Sequence, residues 1–455
     1  MTDRLSDLTP EAKQALLRRI IEKRVGQKRS GAEAAEAAVP DGDSAAIPES
    51  FYRLDKLPQY VALQLQRAVV DRAGITNPFF SLHEGVARDT TVIGGRELIN
   101  YSTYNYLDLN GHPEVSQAAI DAIARYGTSA SASRVVSGER PPHRALETAL
   151  AELHGVEDAV AFVSGHATNV STIATLMGPK DLILHDRLAH NSIMLGAQLS
   201  GAARQAVAHN NMEALDEVLS ANRARYEKVL IAVEGIYGMD GDAAPLGQLV
   251  EIKRKHKALL LVDEAHSVGV LGATGRGISE HAGIDGREVD LWMGTLSKTL
   301  SGCGGYIAGT GALVDLLKLT APGFVYSVGL PPAIAAASTA ALRIMLREPE
   351  RVRKLRSNAR LFLDLAKAKG LDTGNTEGYN IVPVITGRST LAARLSNALL
   401  DRGINVAPIV YPAVEERVAR LQFFISTKHN EAQIRFTVDT VAEELARLRK
   451  LEGME

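Results

Sequence analysis

Short apolar runs alternate with helical patterns between about residues 110 and 330, and this alternation limits the fold more than any other feature of the chain. Continuous apolar runs of this length are typical of strands that are buried on both faces of a sheet. The predicted strands are Ala159–Val163, Leu182–Leu184, Val229–Val233, Leu259–Val262, Leu291–Met293 and Tyr306–Ala308. The pattern therefore predicts an α/β fold with a mostly parallel sheet covered by helices on both faces.

The sequence divides into five segments. Residues 1–28 predict an amphipathic helix, because apolar residues recur there at helical spacing. Residues 29–50 are rich in Ala, Gly, Ser, Pro and Asp and predict a flexible linker. Residues 51–110 form a mixed N-terminal segment, 111–335 a large domain and 336–455 a smaller α+β C-terminal domain. The first helix either packs as an arm on its own fold or on a dimer mate, or docks the chain on a multienzyme assembly.

The composition excludes several classes of function. A net charge of -2 provides no bulk attraction for nucleic acid or an anionic membrane. The single cysteine, Cys303, cannot form an intrachain disulfide and suits a reducing compartment. The twelve histidines show no metal-ligand spacing, and no apolar run approaches the roughly 20 residues that span a bilayer. We therefore expect a cytoplasmic protein with neither a metal site nor a transmembrane segment.

A carboxylate and an amine follow two of the predicted strands. Asp263 comes directly after the apolar run Ala258–Val262, and Lys298 follows Leu291–Met293. Neighbouring parallel strands would bring both side chains to the same edge of the sheet. Pyridoxal phosphate needs this pair, because a lysine binds it as a Schiff base and an aspartate keeps its pyridine nitrogen protonated.

Lys298 and Asp263 each have a common alternative interpretation. A lysine after a strand is usually a solvated surface residue. The string Asp263-Glu264-Ala265-His266 also occurs in helicases, but that function requires a phosphate loop of the type Gly-x-x-x-x-Gly-Lys-Ser/Thr, which the sequence lacks. A Gly-x-Gly-x-x-Gly dinucleotide fingerprint after a strand is also missing from the sequence.

Polar turns follow three further strands. Ser164–Ala167 would offer backbone N–H groups to a phosphate at a helix N-terminus, although Ser-Gly turns are common. His185–Ser192 contains an imidazole that could stack on an aromatic cofactor, and Glu234–Asp242 forms a polar, glycine-rich turn. Because ligands in open α/β sheets bind at the carboxyl ends of the strands, these weak signals together indicate one site.

An ordered set of motifs between about residues 98 and 430 resembles the α-oxoamine synthases, which are fold-type I pyridoxal-phosphate enzymes with the aspartate aminotransferase-like fold. The matching segments are Ser102–Leu109, Ala132–Glu147, Ser164–Asn169, His185–Ser192, Glu234–Leu246, Asp263–Gly277 and Gly294–Lys298. Two of the variants, Tyr104-Asn105-Tyr106 and Val135–His143, are most similar to serine palmitoyltransferase and to synthase domains attached to polyketide systems.

The resemblance implies a role for each catalytic residue. Lys298 would bind the cofactor covalently and later move the α-proton of the substrate. Asp263 would pair with the pyridine nitrogen and His266 with the ring oxygen, while His190 would stack on the ring face.

The resemblance also implies contacts to the cofactor phosphate and to the substrates. The phosphate would be held by Gly165, His166, Thr295 and, from the partner subunit, Ser327. The acyl substrate would lie near Tyr104, Asn105 and His143. The amino-acid carboxylate would pair with Arg420, whose planar guanidinium matches that anion.

Three positions depart from the family pattern. Gly238 stands where relatives usually carry a serine, Val328 stands where a second hydroxyl would reach the phosphate of the partner subunit, and Gln422 replaces a second arginine. These changes affect the expected cofactor affinity and substrate details, whereas Asp263 and Lys298 match the family.

The activity implied by the resemblance is a decarboxylative condensation of Ala, Gly or Ser with an acyl thioester, carried by coenzyme A or an acyl carrier protein, to give an α-amino ketone. The enzyme would be a homodimer with shared active sites, and a multienzyme system is a further possible partner. An aminotransferase or an amino-acid decarboxylase on the same fold is the alternative, and a thioester requirement separates these. A non-catalytic regulatory partner would be expected to lack the Schiff-base lysine, which this chain has at Lys298.

Overall fold

A computed structural model of the chain describes residues 47–72 and 74–453. The predicted helix over residues 1–28 and most of the predicted linker over 29–50 lie outside the described residues. The chain divides after Ala68 into two compact units. Among the described residues, no helix has the length and apolar character that a membrane span requires.

Thirteen strands are present in the described chain: β1 (Thr90–Ile93), β2 (Arg96–Asn100), β3 (Asp158–Phe162), β4 (Leu182–Asp186), β5 (Ala203–Val207), β6 (Val229–Glu234), β7 (Leu259–Asp263), β8 (Leu291–Thr295), β9 (Gly305–Gly309), β10 (Ile381–Ile385), β11 (Ile404–Asn405), β12 (Pro408–Ile409) and β13 (Arg420–Phe424). The α-helices are α1 (Pro58–Arg72), α2 (Pro113–Tyr126), α3 (Pro141–His154), α4 (Gly165–Leu176), α5 (Asn191–Ser200), α6 (Met212–Asn222), α7 (Leu246–His256), α8 (Ile278–Ala282), α9 (Gly311–Thr320), α10 (Pro322–Val325), α11 (Pro332–Arg347), α12 (Glu350–Ala368), α13 (Ser389–Asp401) and α14 (Glu431–Leu451).

Seven strands form the central sheet in the order β3-β9-β8-β7-β6-β4-β5. The strands from β8 to β5 pair in parallel, and β9 runs antiparallel to both of its neighbours. The predicted α/β fold with a mostly parallel sheet is confirmed. Strand β5 was not predicted, because it lies at the sheet edge and exposes Arg204 and Gln205, so it has no apolar run.

Buried side chains cover both faces of this sheet. On one face Ile183 and Leu230 join a core that includes Ile173 of α4 and Ile193 of α5. On the other face, Leu184 and Ile231 of the strands join a second core. This core includes Leu215 of α6 and Leu249 of α7. Burial on both faces explains why these strands are continuously apolar in the sequence.

Two three-stranded sheets complete the fold. The sheet β10-β13-β12 is antiparallel and places Arg420 at the start of β13. The sheet β1-β2-β11 contains the predicted hairpin, in which Gly94 and Gly95 both have positive φ, as a two-residue turn of this kind requires. The predicted boundary between residues 335 and 336 falls within α11, and the domain limits remain predictions.

Candidate active site

Acidic side chains meet at the carboxyl ends of β6 and β7. Asp263 is the last residue of β7, and it pairs in register with Glu234, the last residue of β6. Both side chains are buried. Lys298 follows β8, the other neighbour of β7, so the sheet brings the predicted carboxylate and amine to one edge.

Asp263 is held by two hydrogen-bond donors. Its Oδ1 accepts from the backbone N–H of Ala265 at 3.0 Å, and its Oδ2 accepts from Asn169 Nδ2 at 2.8 Å. Asn169 Nδ2 also donates to Ser192 Oγ at 3.0 Å, and Ser192 Oγ lies 2.7 Å from His190 Nδ1. A continuous chain of hydrogen bonds therefore connects Asp263 to His190.

Asn169 and Ser192 lie inside the matching motifs, but the sequence predicted no role for them. The available signal for Asn169 was its position one helical turn after Gly165, on the same face of α4. His190 is the N-cap of α5, and its Nδ1 accepts from the backbone N–H of Ser192 at 3.3 Å. Burial lowers the pKa of His190, so the ring is neutral and Nε2 carries its proton.

Lys298 lies beside an aromatic ring and two carboxyl groups. Its Nζ is 5.5 Å from the centroid of the Tyr104 ring. Burial lowers the pKa of Lys298, while the nearby Asp263 and Glu234 oppose this shift. A lowered pKa increases the fraction of neutral amine, which is the form that attacks a carbonyl carbon.

Glu234 is a second carboxyl group of the site for which the sequence predicted no role. Its Oε2 accepts from the backbone N–H of Gly238 at 3.1 Å. Burial, with the negative charge of Asp263 next in importance, raises the pKa of Glu234 to about 8. At neutral pH the Glu234 carboxyl group is therefore mostly protonated.

His266 is oriented by a buried tyrosine. Its Nδ1 lies 2.9 Å from Tyr106 Oη, and burial raises the pKa of Tyr106 well above its ordinary value, so the phenol keeps its proton. Burial lowers the pKa of His266 well below its ordinary value, so the ring is neutral, and its second nitrogen, Nε2, faces Gly238. A Cβ at position 238 would lie 2.7 Å from this Nε2, so glycine at 238 leaves the nitrogen unobstructed.

Gly165 and Thr295 border the same space at the N-terminus of α4. A Cβ on Gly165 would lie 3.0 Å from Thr295 Oγ1. Ser164 caps the helix by accepting from the N–H of Ala167 at 3.3 Å, and His166 is exposed in the first turn. Free N–H groups of a helix start beside a hydroxyl form a suitable cradle for a phosphate.

Arg420 is buried and is held by the loop that follows β6. Its Nη1 donates to Asp240 Oδ1 at 2.7 Å and to Met239 O at 2.9 Å. Gln422, two residues later on β13, donates to Gly238 O at 3.0 Å and to Met239 O at 3.1 Å. The loop that approaches His266 through Gly238 therefore also positions the guanidinium.

Three predicted residues have no described contact with this cluster. The ring nitrogens of His143 both face backbone: Nδ1 accepts from Arg140 N at 3.1 Å and Nε2 lies 2.5 Å from Leu330 O. The amide of Asn105 donates to Ala87 O at 2.9 Å and accepts from backbone N–H groups. Ser327 lies on the turn after α10 and is half-buried. Their roles toward cofactor and substrate stay predictions.

Known proteins match most of the chain. The family model of class I and II aminotransferases matches residues 96–443. An 8-amino-7-oxononanoate synthase from Symbiobacterium thermophilum is 40% identical over 363 residues, which cover 80% of this chain and 92% of the relative. Another from Methylocella silvestris is 42% identical over 341 residues, covering 75% and 95%.

Solved structures also match most of the chain. Serine palmitoyltransferase from Sphingomonas wittichii superposes with a TM-score of 0.82 at 30% identity, over 87% of this chain and 99% of that one. The chain belongs to the α-oxoamine synthases. A further serine palmitoyltransferase structure, with a TM-score of 0.81 and 31% identity over 88% of this chain and 99% of that one, contains pyridoxal phosphate.

Membership in the α-oxoamine synthases confirms several predictions from the sequence. The fold is that of a fold-type I pyridoxal-phosphate transferase, and the cofactor is pyridoxal phosphate. The enzyme class is that of acyltransferases that condense with decarboxylation. The residues at the sheet edge fit the cofactor, because the donor set combines an amine, a buried carboxylate and a helix N-terminus with a hydroxyl.

Proposed function

We propose that this α-oxoamine synthase joins Ala, Gly or Ser to the acyl group of a thioester, with loss of the amino-acid carboxylate as CO2, to give an α-amino ketone. The observation that carries the proposal is the half-buried Lys298 beside the buried Asp263, at the edge where His190 and His266 also lie. When bound, pyridoxal phosphate supplies an electron sink that lowers the cost of breaking bonds at the amino-acid α-carbon.

Each residue of the site has a task that its surroundings support. Lys298 binds the cofactor and moves the α-proton, and its lowered pKa favours both steps. Asp263 provides the negative charge for the pyridine nitrogen, held in place by Asn169. His266 offers the proton of Nε2 to the cofactor ring oxygen, and His190 orients the ring and the bound amino acid. The phosphate binds at Gly165, His166 and Thr295.

Arg420 binds the amino-acid carboxylate. Its Nη1 is occupied by Asp240 and Met239, whereas its Nη2 makes no hydrogen bond to the described residues. A guanidinium held on one side presents its remaining N–H groups in a fixed direction, which suits a carboxylate. Tyr104 would contact the acyl group, and its ring next to Lys298 supports this role.

A homodimer with shared active sites is part of the proposal. Large apolar side chains are exposed on two adjacent segments, including Val136 at 80%, Tyr326 at 86% and Val328 at 51%. The segments lie side by side, because Gly329 N donates to Ala132 O at 2.9 Å. An exposed apolar patch of this kind is typical of a subunit interface, and Ser327 lies within it. We propose a cytoplasmic location on the single cysteine.

The test uses the purified holoenzyme with Ala, Gly and Ser, each offered with an acyl-coenzyme A and with the same acyl group on a carrier protein. Mass spectrometry should detect a product with the mass of the amino acid plus the acyl group minus CO2 and one hydrogen, formed only when the thioester is present. Conversion of the amino acid to its α-keto acid without a thioester, when a second α-keto acid is added as the amino acceptor, would establish an aminotransferase. Conversion to the simple amine would establish a decarboxylase.

A further inference from the structure

A histidine lies between two carboxylates near the loop that holds Arg420. Nδ1 of His209 is 2.9 Å from Asp186 Oδ1, and Nε2 is 2.8 Å from Asp242 Oδ2. The side chain is 8% exposed. A neutral imidazole has one N–H and could donate to only one of these oxygens. The geometry therefore favours an imidazolium that donates to both carboxylates.

The groups around His209 keep it charged and fixed. Asn210 donates from Nδ2 to Asp242 Oδ2 at 3.0 Å and from its backbone N–H to Asp186 Oδ2 at 2.9 Å. The ring of Tyr237 packs edge-on at 4.5 Å between centroids. Burial alone would lower the pKa of His209, but the two carboxylates outweigh burial and raise the pKa to about 10. The cluster thus remains ion-paired throughout the neutral range.

Asp242 belongs to the same turn as the partners of Arg420. Tyr237 N donates to Asp242 O at 3.0 Å, and Gly241 N donates to Tyr237 O at 2.8 Å, so the turn is closed by its own backbone. Asp240, inside the turn, accepts from Arg420 Nη1. One side of the turn is therefore held by His209 and the other side holds the guanidinium.

We propose that His209 is a positioning residue for amino-acid binding: it anchors Asp242, and through the turn Tyr237–Asp242 it holds Asp240 where Arg420 is directed at the amino-acid carboxylate. This inference rests on the proposed function, since Arg420 must bind that carboxylate. Glutamine at position 209 is neutral and has a single NH2 group in place of two separate ring nitrogens, so both carboxylates would lose their charged partner and only one would keep a hydrogen bond.

The experiment compares holoenzyme variants His209→Gln and His256→Gln. His256 is the matched control, because its Nε2 also pairs with a carboxylate, Asp216, at 2.8 Å, but at the end of α7 and without a described contact to the turn. We expect the Kd for the amino acid, measured by spectral titration, to rise roughly tenfold in His209→Gln. The KM for the thioester and the kcat at saturating amino acid should change by less than about twofold. His256→Gln should leave all three values unchanged.

A milder variant keeps the test decisive if His209→Gln fails to fold. Asn210→Gly removes the amide that donates to Asp242, and it preserves the backbone, because Asn210 has a φ of 49° that glycine adopts without strain. It should raise the amino-acid Kd in the same direction, by a smaller factor. An unchanged Kd in His209→Gln, or in Asn210→Gly where only that variant folds, would overturn the inference, even if the melting temperature fell.

Arg420→Ala separates this inference from the proposed function. If Arg420→Ala weakens amino-acid binding and His209→Gln does not, only the role of His209 is wrong. If Arg420→Ala leaves the Kd unchanged, the proposed carboxylate site is wrong and the role of His209 falls with it. In ¹⁵N NMR at pH 8, the histidine signal lost in His209→Gln should have both ring nitrogens protonated, and a singly protonated ring would contradict the ion-paired geometry.

Discussion

Replacing Asp263 with asparagine should separate the catalytic task of this residue from its structural one. The asparagine oxygen can still accept from Ala265 N, but its NH2 group would face Asn169 Nδ2, a donor. Asn169 Oδ1 is buried without a hydrogen-bond partner among the described residues, so rotation of that amide would supply an acceptor. The variant then loses about one hydrogen bond, which costs about 1–3 kcal/mol of stability.

The effect on the rate should be larger than the effect on stability. The variant removes the negative charge that we propose for the pyridine nitrogen, and the loss of such an electrostatic contact costs about 3 kcal/mol or more in the transition state. That corresponds to a decrease in rate of about 100-fold or more. The condensation product should be measured by mass spectrometry, the cofactor content by absorbance and the folding by thermal circular dichroism.

Glu234→Gln is the matched control, because it changes the neighbouring carboxyl group in register with Asp263. Burial raises the pKa of Glu234 to about 8, so at pH 7 the wild-type group is already mostly neutral and the rate should change by less than about threefold. A near-wild-type rate in Asp263→Asn with the cofactor bound would refute the role of Asp263.

Four further predictions follow from the same structure. Lys298→Ala should abolish covalent attachment of the cofactor after borohydride reduction, and attachment at another lysine would exclude Lys298. Arg420→Ala should weaken amino-acid binding by about 2–5 kcal/mol with the cofactor retained, as measured by spectral titration; an unchanged titration would remove it from the site. Burial lowers the pKa of His154 to about 3, so this group contributes stability that is present above pH 6.5 and decreases as the pH falls towards 3. At pH 5 this effect should lower the free energy of unfolding by about 2 kcal/mol. In urea unfolding, the free energy of unfolding of His154→Phe should therefore decrease less steeply with falling pH than that of the wild type, and equal slopes would contradict this prediction. A chain beginning at Ile47 should condense a free thioester at the normal rate. A rate loss only with a carrier-bound substrate would indicate that residues 1–28 dock the enzyme, whereas weaker dimerisation and a lower melting temperature would indicate a dimer arm. Normal values in both tests would exclude both roles.

Several contacts of the site could not be predicted because they join segments that are distant in the sequence. Tyr106 and His266 are 160 positions apart, and Asn169 and Asp263 are 94 apart. Glu234 becomes part of the site only through its register with Asp263. Strand order and helix packing create these pairs, and no local pattern encodes either.

The sequence by itself determined six of the seven strands of the central sheet, the positions of Asp263 at the end of β7 and of Lys298 after β8, and the family. It could do so because a strand buried on both faces must be continuously apolar, and because the residue that follows such a strand lies at the sheet edge. Only the tertiary structure decided that His266 lies beside Tyr106 and that the amide of Asn105 is bonded to backbone. It also decided that His209 contacts Asp242, in the turn whose Asp240 binds Arg420, since hydrogen-bond partners and burial depend on how distant segments pack.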